Sequence, residues 1–180
     1  MIKLIILLSL ISFNSYARLT IGTSILYTKI SNPDYNYVSE YERLGELDNF
    51  NIGYSHEINN INIHLSTNRL FNKEISRNVI TKNHLTFNSK VKTTYDSLQL
   101  GYIKNRIMPA IFIANTEVRE RLYTLDRKIM LGEETKHTII KGVNLVYFVN
   151  KNISANATYL LPDNELHLKG GLGFGMNYIF

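Results

Sequence analysis

The last eleven residues of the chain, Gly170–Phe180, read GGLGFGMNYIF. Every second position from residue 172 onward is large and apolar, namely Leu172, Phe174, Met176, Tyr178 and Phe180. The positions between them are glycine or polar, with Ile179 as the exception. Because successive side chains of a β-strand point to opposite faces, this stretch predicts a strand with one apolar face. Chain ends of water-soluble domains tend to fray, so alternation that continues to the last residue is unusual for such a domain.

The same alternation recurs in seven earlier stretches of the chain. We predict strands near residues 19–27, 49–54, 61–66, 97–102, 107–114, 142–149 and 153–161, followed by a last strand over 166–180. Their less apolar faces carry mostly Asn, Ser, Thr, Gln and Gly. A tilted strand needs roughly nine to eleven residues to cross a bilayer. The pattern therefore predicts an all-β fold, an eight-stranded antiparallel up-and-down transmembrane β-barrel.

The connections between the predicted strands alternate between short and long. Short ones lie at residues 55–60, 103–106 and 150–152, and long ones at 29–43, 71–93 and 117–137. The last connection on the long side, residues 162–165, is the exception, because it is short. Outer-membrane barrels have short periplasmic turns and long external loops. A soluble β-sandwich or lipocalin-like barrel is the alternative, but it does not require this alternation. Because an open strand edge is not tolerated in lipid, the last strand should pair with the first.

The first residues, MIKLIILLSLISFNSYA, have the three-part layout of a secretory signal peptide. Lys3 precedes the apolar run, and Ser15 and Ala17 occupy the positions that precede a cleavage site. The run is too short for a membrane helix. We expect residues 1–17 to be cleaved and residues 18–180 to form a single barrel domain. The chain has no cysteine, which excludes disulfides. Its net charge of +5 does not indicate a nucleic-acid partner in an exported protein.

A terminal Phe180 preceded by Tyr178, Met176 and Phe174 at alternate positions resembles the C-terminal signature of bacterial outer-membrane β-barrel proteins. The whole chain resembles the small eight-stranded class, which includes the OmpA transmembrane domain, OmpX, OmpW and the opacity-type proteins. The resemblance implies that the barrel assembly machinery recognises the terminal strand. It also implies a location in the bacterial outer membrane, among its lipids and lipopolysaccharide. We expect a monomer.

The predicted lumen offers little chemistry. Its polar residues are Asn49, Asn51, Asn62, His64, Gln99, Asn144, Asn156, His167, Lys169 and Asn177. The interior of an eight-stranded barrel is just filled by its own side chains. We therefore interpret the polar lumen residues as a structural hydrogen-bond network. The alternative is a narrow channel for small or hydrophobic solutes. His64 and Ser66 have the His-x-Ser spacing of an outer-membrane lipid A deacylase class, but they fall on the lumen face and no carboxylate accompanies them. We therefore expect no catalysis, no cofactor and no metal site.

The long loops are the better functional candidates, since rigid scaffolds present binding residues on loops. The first loop carries Tyr35, Tyr37 and Tyr41, which suit contacts with a protein or host ligand, although these rings could instead pack on one another. The second loop is basic and could contact lipopolysaccharide phosphates through Lys73, Arg77, Lys82, Lys90 and Lys92. This loop also alternates in part, which predicts a hairpin extending strands three and four beyond the membrane. For the third loop, a short helix and a hairpin remain open. The sequence thus favours a structural, adhesion or surface-interaction role.

Overall fold

The computed structural model describes residues 16–30, 43–70, 74–80, 86–163 and 168–180. Within these ranges the chain forms nine antiparallel strands. They are β1 (Tyr16–Ile30), β2 (Arg43–Ile58), β3 (Ile61–Thr67), β4 (Ile75–Ile80), β5 (Thr86–Tyr102), β6 (Ile107–Tyr123), β7 (Met130–Phe148), β8 (Ile153–Leu160) and β9 (Leu168–Ile179). Residues 1–15 lie outside the described ranges, as does most of the predicted signal peptide.

The strands close into a ring. Consecutive strands are hydrogen-bonded to each other except β3 and β4, β3 pairs with both β2 and β5, and β9 returns to pair with β1. The backbone nitrogen of Phe180 donates to the carbonyl oxygen of Leu19 at 2.9 Å, so the closing seam extends to the last residue. The short β4 pairs only with β5, beyond the end of β3. The ring therefore consists of eight antiparallel strands, which confirms the predicted fold class.

Several strands run much further than a membrane crossing requires. β5 and β6 each have 17 residues and β7 has 19, so the predicted length of nine to eleven residues was too short for these three. The pairing of β4 with Thr86–Val91 confirms the predicted hairpin extension of the second loop. In the third loop β6 and β7 stay paired out to Tyr123 and Met130, which selects the hairpin over the helix. The tyrosine-rich segment 31–42 lies outside the described residues.

The first short turn is tighter than the sequence suggested. Pairing between β2 and β3 continues through Ile58 and Ile61, which leaves Asn59 and Asn60 as the turn, both with positive φ. Asparagine tolerates this left-handed conformation better than most residues. The predicted connections 55–60, 71–93 and 117–137 place His56, His84 and His137 in turns or loops. That was wrong for His56, which is buried in β2, and for His137, which lies in β7, because both strands pair further than predicted.

Side chains alternate across the wall of the ring, as the sequence predicts. On β6, Ile107, Ile111 and Ile113 are exposed on the outside, whereas Met108 and Ala110 are buried inside. The same alternation leaves further apolar residues exposed on other strands, including Leu19, Leu98, Leu100, Val143, Leu145, Leu172, Phe174 and Met176. An apolar exterior of this extent is unfavourable in water. It suits the hydrocarbon core of a bilayer, so the outside of the ring is its lipid-facing surface.

Glycines on the inner wall make room for large inward side chains. A Cβ atom added to Gly53 would lie 2.5 Å from the ring of His64, and one added to Gly142 would lie 2.6 Å from the ring of Phe112. The Gly142 position is also 2.5 Å from the backbone oxygen of Tyr159. The narrow interior therefore depends on the absence of a side chain at these positions.

Candidate functional site

The lumen holds a cavity of about 190 Å³ with two kinds of lining. An apolar part comes mainly from β6 and β7 and includes Phe112, Ile140 and Val146. A polar part contains most of the predicted lumen residues, namely Asn51, Asn62, His64, Gln99, Asn144, Asn156 and Asn177. The inward placement predicted for these seven is therefore confirmed, while the side chains of Asn49, His167 and Lys169 lie outside the described part of the structure.

A hydrogen-bond network ties three strands together across this cavity. The amide nitrogen of Asn144 on β7 donates to the side-chain oxygen of Gln99 on β5 at 2.8 Å. This bond passes over β6, the strand between β5 and β7, where the inward side chain is the small Ala110. Thr158 on β8 donates to Asn144 at 3.2 Å, and Asn156 donates to Thr158 at 3.3 Å. Buried polar groups that satisfy one another in this way rigidify an interior.

His64 and Ser66 both line the cavity, on one face of β3. The hydroxyl of Ser66 is hydrogen-bonded to the hydroxyl of Ser97 at 2.7 Å. A serine nucleophile needs a base and a third group that orients the base, and among the described residues no carboxylate lines this cavity. The same residues contain no cluster of three His, Asp or Glu side chains that could hold a metal ion. The arrangement fits a structural contact better than a catalytic pair.

We expect Ser66→Ala to leave the acylation of lipid A unchanged when the protein is expressed in a laboratory Gram-negative strain. The substitution removes one hydrogen bond of ordinary strength, worth about 1 kcal/mol, and no reacting group. Mass spectrometry of lipid A from cells with the wild type, with Ser66→Ala and with empty vector checks this expectation. Loss of an acyl chain with the wild type but not with Ser66→Ala would make the pair catalytic.

A second polar surface lies at the other end of the strands, above the lipid-facing band. The outward side chains of β6 are isoleucines in the lipid-facing band and become charged further along the strand, at Glu117, Arg119 and Arg121. Ion pairs link them to neighbouring strands: Arg119 and Arg121 reach Glu133 on β7 at 3.6 and 3.1 Å. We call this surface the outer charged face; it comprises Arg69, Glu74, Lys90, Lys92, Asp96, Glu117, Arg119, Arg121 and Glu133.

The outer charged face also reaches β5 and the segment before β4. Arg69 pairs with Asp96 at 3.0 Å and approaches Glu117 at 3.7 Å. Glu74 lies 3.7 Å from Lys90 and 3.8 Å from Arg121. Exposed pairs of this kind are worth less than about 1 kcal/mol each. A linked set holds its side chains in a defined arrangement.

The structure brings together only part of the predicted basic set. Lys90 and Lys92 lie two residues apart on β5, and the ammonium of Lys90 also stands 5.1 Å from the centre of the Tyr123 ring. The backbone of Arg77 pairs with β5 at Ser89. Lys73 and Lys82 fall outside the described residues, as do Tyr35, Tyr37 and Tyr41.

Sequence reasoning missed the arginines of the outer charged face. Arg119 and Arg121 were read as part of a loop with charges of alternating sign. The two-residue spacing of Glu117, Arg119 and Arg121 was the available signal, since residues i and i+2 of a strand share a face. Arg69 carried no such signal, because its partners lie 27 and 48 residues further along the chain.

Comparison with known proteins identifies the architecture. Neither a protein-family model nor a curated protein sequence matches the chain. The crystal structure of Ail, the attachment invasion locus protein of Yersinia pestis, matches with a TM-score of 0.62 at 15% identity, covering 93% of this chain and all of that one. The N-terminal β-barrel domain of OprF from Pseudomonas aeruginosa matches with a TM-score of 0.51 at 10% identity, covering 92% of this chain and 100% of that one. This chain has the fold of a small outer-membrane β-barrel.

In an outer-membrane β-barrel the short turns face the periplasm, so the outer charged face lies on the external side. The closing strand β9 exposes Phe174, Met176, Tyr178 and Phe180 to the lipid, each with about half or more of its surface accessible. The rings of Tyr178 and Phe180 meet edge to face with their centres 4.9 Å apart. Tyr102, Tyr147 and Tyr178 stand beside the periplasmic turns, where aromatic side chains favour the membrane interface. Among the described residues, no helix is long and apolar enough to span a membrane.

Proposed function

We propose that this protein is a non-catalytic surface-interaction barrel that binds the phosphates of lipopolysaccharide, and through its external hairpins a surface ligand. The observation that supports this most strongly is the position of the outer charged face directly above the lipid-facing band. On β5 the outward residues change from Leu98 to Asp96 and then to Lys92 and Lys90. The phosphates of lipopolysaccharide lie at the boundary between hydrocarbon and water. The outer charged face starts where the apolar band ends, and this supports contact with these groups.

The extended strands give this surface both height and stiffness. β5 continues ten residues past Asp96, from 95 down to 86, which is about 33 Å of strand at 3.3 Å per residue. β6 stays paired with it out to Tyr123. Side chains on paired strands are held in register, which lowers the entropy lost on binding compared with a flexible loop.

The charges of the outer charged face are not all neutralised within it. Its five cations face four carboxylates, and the ion pairs described above involve every member except Lys92. Acidic partners orient the arginines, whose planar groups suit phosphate oxygens. The Ail structure contains sucrose octasulfate, a heparin analogue, so a barrel of this fold has been seen with a polyanionic sugar. This supports a polyanion as the ligand class.

Other parts of the proposal concern residues outside the outer charged face. We assign Tyr35, Tyr37 and Tyr41 to partner or host contacts because tyrosine combines a large contact area with a polar group. We assign Phe174, Met176, Tyr178 and Phe180 to recognition by the barrel assembly machinery. In support, all four side chains lie on the outside of the seam strand, where a partner in the membrane can reach them.

Neutralising Lys90 and Lys92 together by Lys→Gln substitutions is expected to weaken binding to lipopolysaccharide roughly thirtyfold. Each cation near an anionic membrane surface contributes about 1 kcal/mol, and 1.4 kcal/mol corresponds to a tenfold change in affinity. The measurement is the affinity of the barrel, held in maltoside micelles, for purified lipopolysaccharide at low and at physiological salt.

The matched control is the double substitution Arg127→Gln and Lys128→Gln, which removes two exposed cations from the β6–β7 turn outside the outer charged face. The control should bind as the wild type does, and the affinity of the wild type should fall with added salt. Equal affinities in the two double variants would refute the assignment of Lys90 and Lys92.

A further inference from the structure

A second cavity, of about 350 Å³, lies at the periplasmic end of the ring. Its charged lining residues are Arg18 on β1, Glu57 on β2, Arg106 in the β5–β6 turn and Lys151 in the β7–β8 turn. Asn105 and Asn150 from the same two turns also line it. We call this cavity the periplasmic vestibule. It lies outside the hydrogen-bond network of the central cavity and outside the outer charged face.

The inner end of the periplasmic vestibule is bounded by four residues that also line the central cavity, namely Ser55, Asn62, Phe148 and Ile179. Ile179 is buried and Phe148 is half-buried. These apolar side chains stand between the two cavities, together with two uncharged polar ones. A charged group that enters from the periplasm therefore meets the cations of the vestibule before it meets an uncharged boundary.

The vestibule carries an excess of positive charge. Without counting Arg18, two cationic side chains and one carboxylate line it, so an excess of one positive charge remains. Arg106 and Lys151 are exposed to water in this cavity, and Arg18 is half-buried.

Backbone contacts hold the two cationic turns next to each other. The nitrogen of Phe148 donates to the carbonyl oxygen of Arg106 at 2.8 Å, which joins the β5–β6 turn to the end of β7, directly before the β7–β8 turn. The side-chain oxygen of Asn150 accepts from the nitrogens of Asn152 and Ile153 at 2.8 and 2.9 Å. Both turns are therefore ordered before any ligand arrives. Converging cations on ordered turns form a preorganised site for an oxyanion.

We propose that the periplasmic vestibule binds a phosphate group through Arg106 and Lys151. The phosphate belongs either to a phospholipid headgroup of the inner leaflet or to a soluble phosphate compound of the periplasm. Arginine forms paired hydrogen bonds to phosphate oxygens and lysine provides a compact positive charge. The site thus gives the periplasmic side of the barrel a binding function that does not depend on the external hairpins.

The test uses the mature barrel in phosphate-free maltoside micelles. Inorganic pyrophosphate and a short-chain phosphatidylglycerol are titrated separately, and the backbone amide resonances of Asn105 and Asn150 are followed by NMR. Saturable shifts are expected with at least one probe. Binding of pyrophosphate alone would identify a soluble phosphate compound as the ligand, and binding of phosphatidylglycerol alone would identify a lipid headgroup. Binding of both probes would mean that the site recognises the phosphate group itself.

Arg106→Gln combined with Lys151→Gln should weaken this binding at least about tenfold, because the two substitutions remove the charged donors to the phosphate oxygens. The external pair Arg127→Gln and Lys128→Gln is the matched control and should bind as the wild type does. Heat-modifiable gel migration shows that each variant is folded. Absence of saturable shifts with both probes, or equal affinity in the two double variants, would overturn the proposal.

Discussion

Arginine in place of Ile111 is expected to lower the free energy of unfolding in lipid vesicles by about 2–4 kcal/mol, the cost of a cation near the middle of a barrel's lipid-facing wall. Ile111 lies on the outside of β6 between Ile107 and Ile113, and 62% of its surface is accessible. In water such an exposed site would accept arginine at little cost. Urea titration of the refolded protein in vesicles measures the difference.

Leu131→Arg provides the matched control for this experiment. Leu131 is also an apolar, outward residue with 50% exposure, but it lies near the outer end of β7, beyond the lipid-facing band. Its replacement by arginine should change stability by less than about 0.5 kcal/mol, as expected for a surface site in water. Similar losses at both positions would mean that the wall around Ile111 does not face lipid.

The second large effect is expected inside the barrel, where Gly142→Val should destabilise the fold by about 3 kcal/mol. A Cβ atom at Gly142 lies 2.5 Å from the backbone oxygen of Tyr159 and 2.6 Å from the ring of Phe112. The ring can turn aside, but the carbonyl belongs to the paired strand β8 and cannot move without breaking the sheet. Phe112→Ala should therefore fail to restore the stability of Gly142→Val.

Gly132→Val is the control on the same strand, since a Cβ atom there meets nothing within 4 Å. This substitution should be neutral or stabilise the barrel by up to about 0.5–1 kcal/mol, because glycine is unfavourable in a strand interior. Equilibrium unfolding in micelles with both variants tests the pair. A loss in Gly132→Val as large as in Gly142→Val would show that the cost comes from the strand backbone and not from the crowded lumen.

Much of the architecture could be predicted before the structure because it depends on local alternation. Whether a side chain faces lipid or lumen is set within one strand, so GGLGFGMNYIF already indicates which face of β9 is apolar. The inward positions of His64, Gln99 and Asn144 followed from the same rule. The strand count and the closure of β9 on β1 followed as well, because a membrane barrel cannot leave an open edge.

The contacts that carry the proposed functions could not be predicted in this way. Gln99 meets Asn144 over an intervening strand, and Arg69 reaches Asp96 and Glu117 on two other strands. The periplasmic vestibule is assembled from two turns and from strand ends, among them the start of β1 and the end of β2, that are far apart in the chain. Such neighbours depend on the register between strands, and a shift of one residue would reverse every face.

By itself the sequence determined where the strands lie, which of their sides face lipid and that the last strand pairs with the first. Each of these features follows from a two-residue period within a short segment. Only the tertiary structure decided how far β5, β6 and β7 extend beyond the membrane, which charges pair on the outer charged face and which cations meet in the periplasmic vestibule. The physical reason is that these features depend on backbone hydrogen bonds between distant segments, and no local pattern specifies which segments become neighbours.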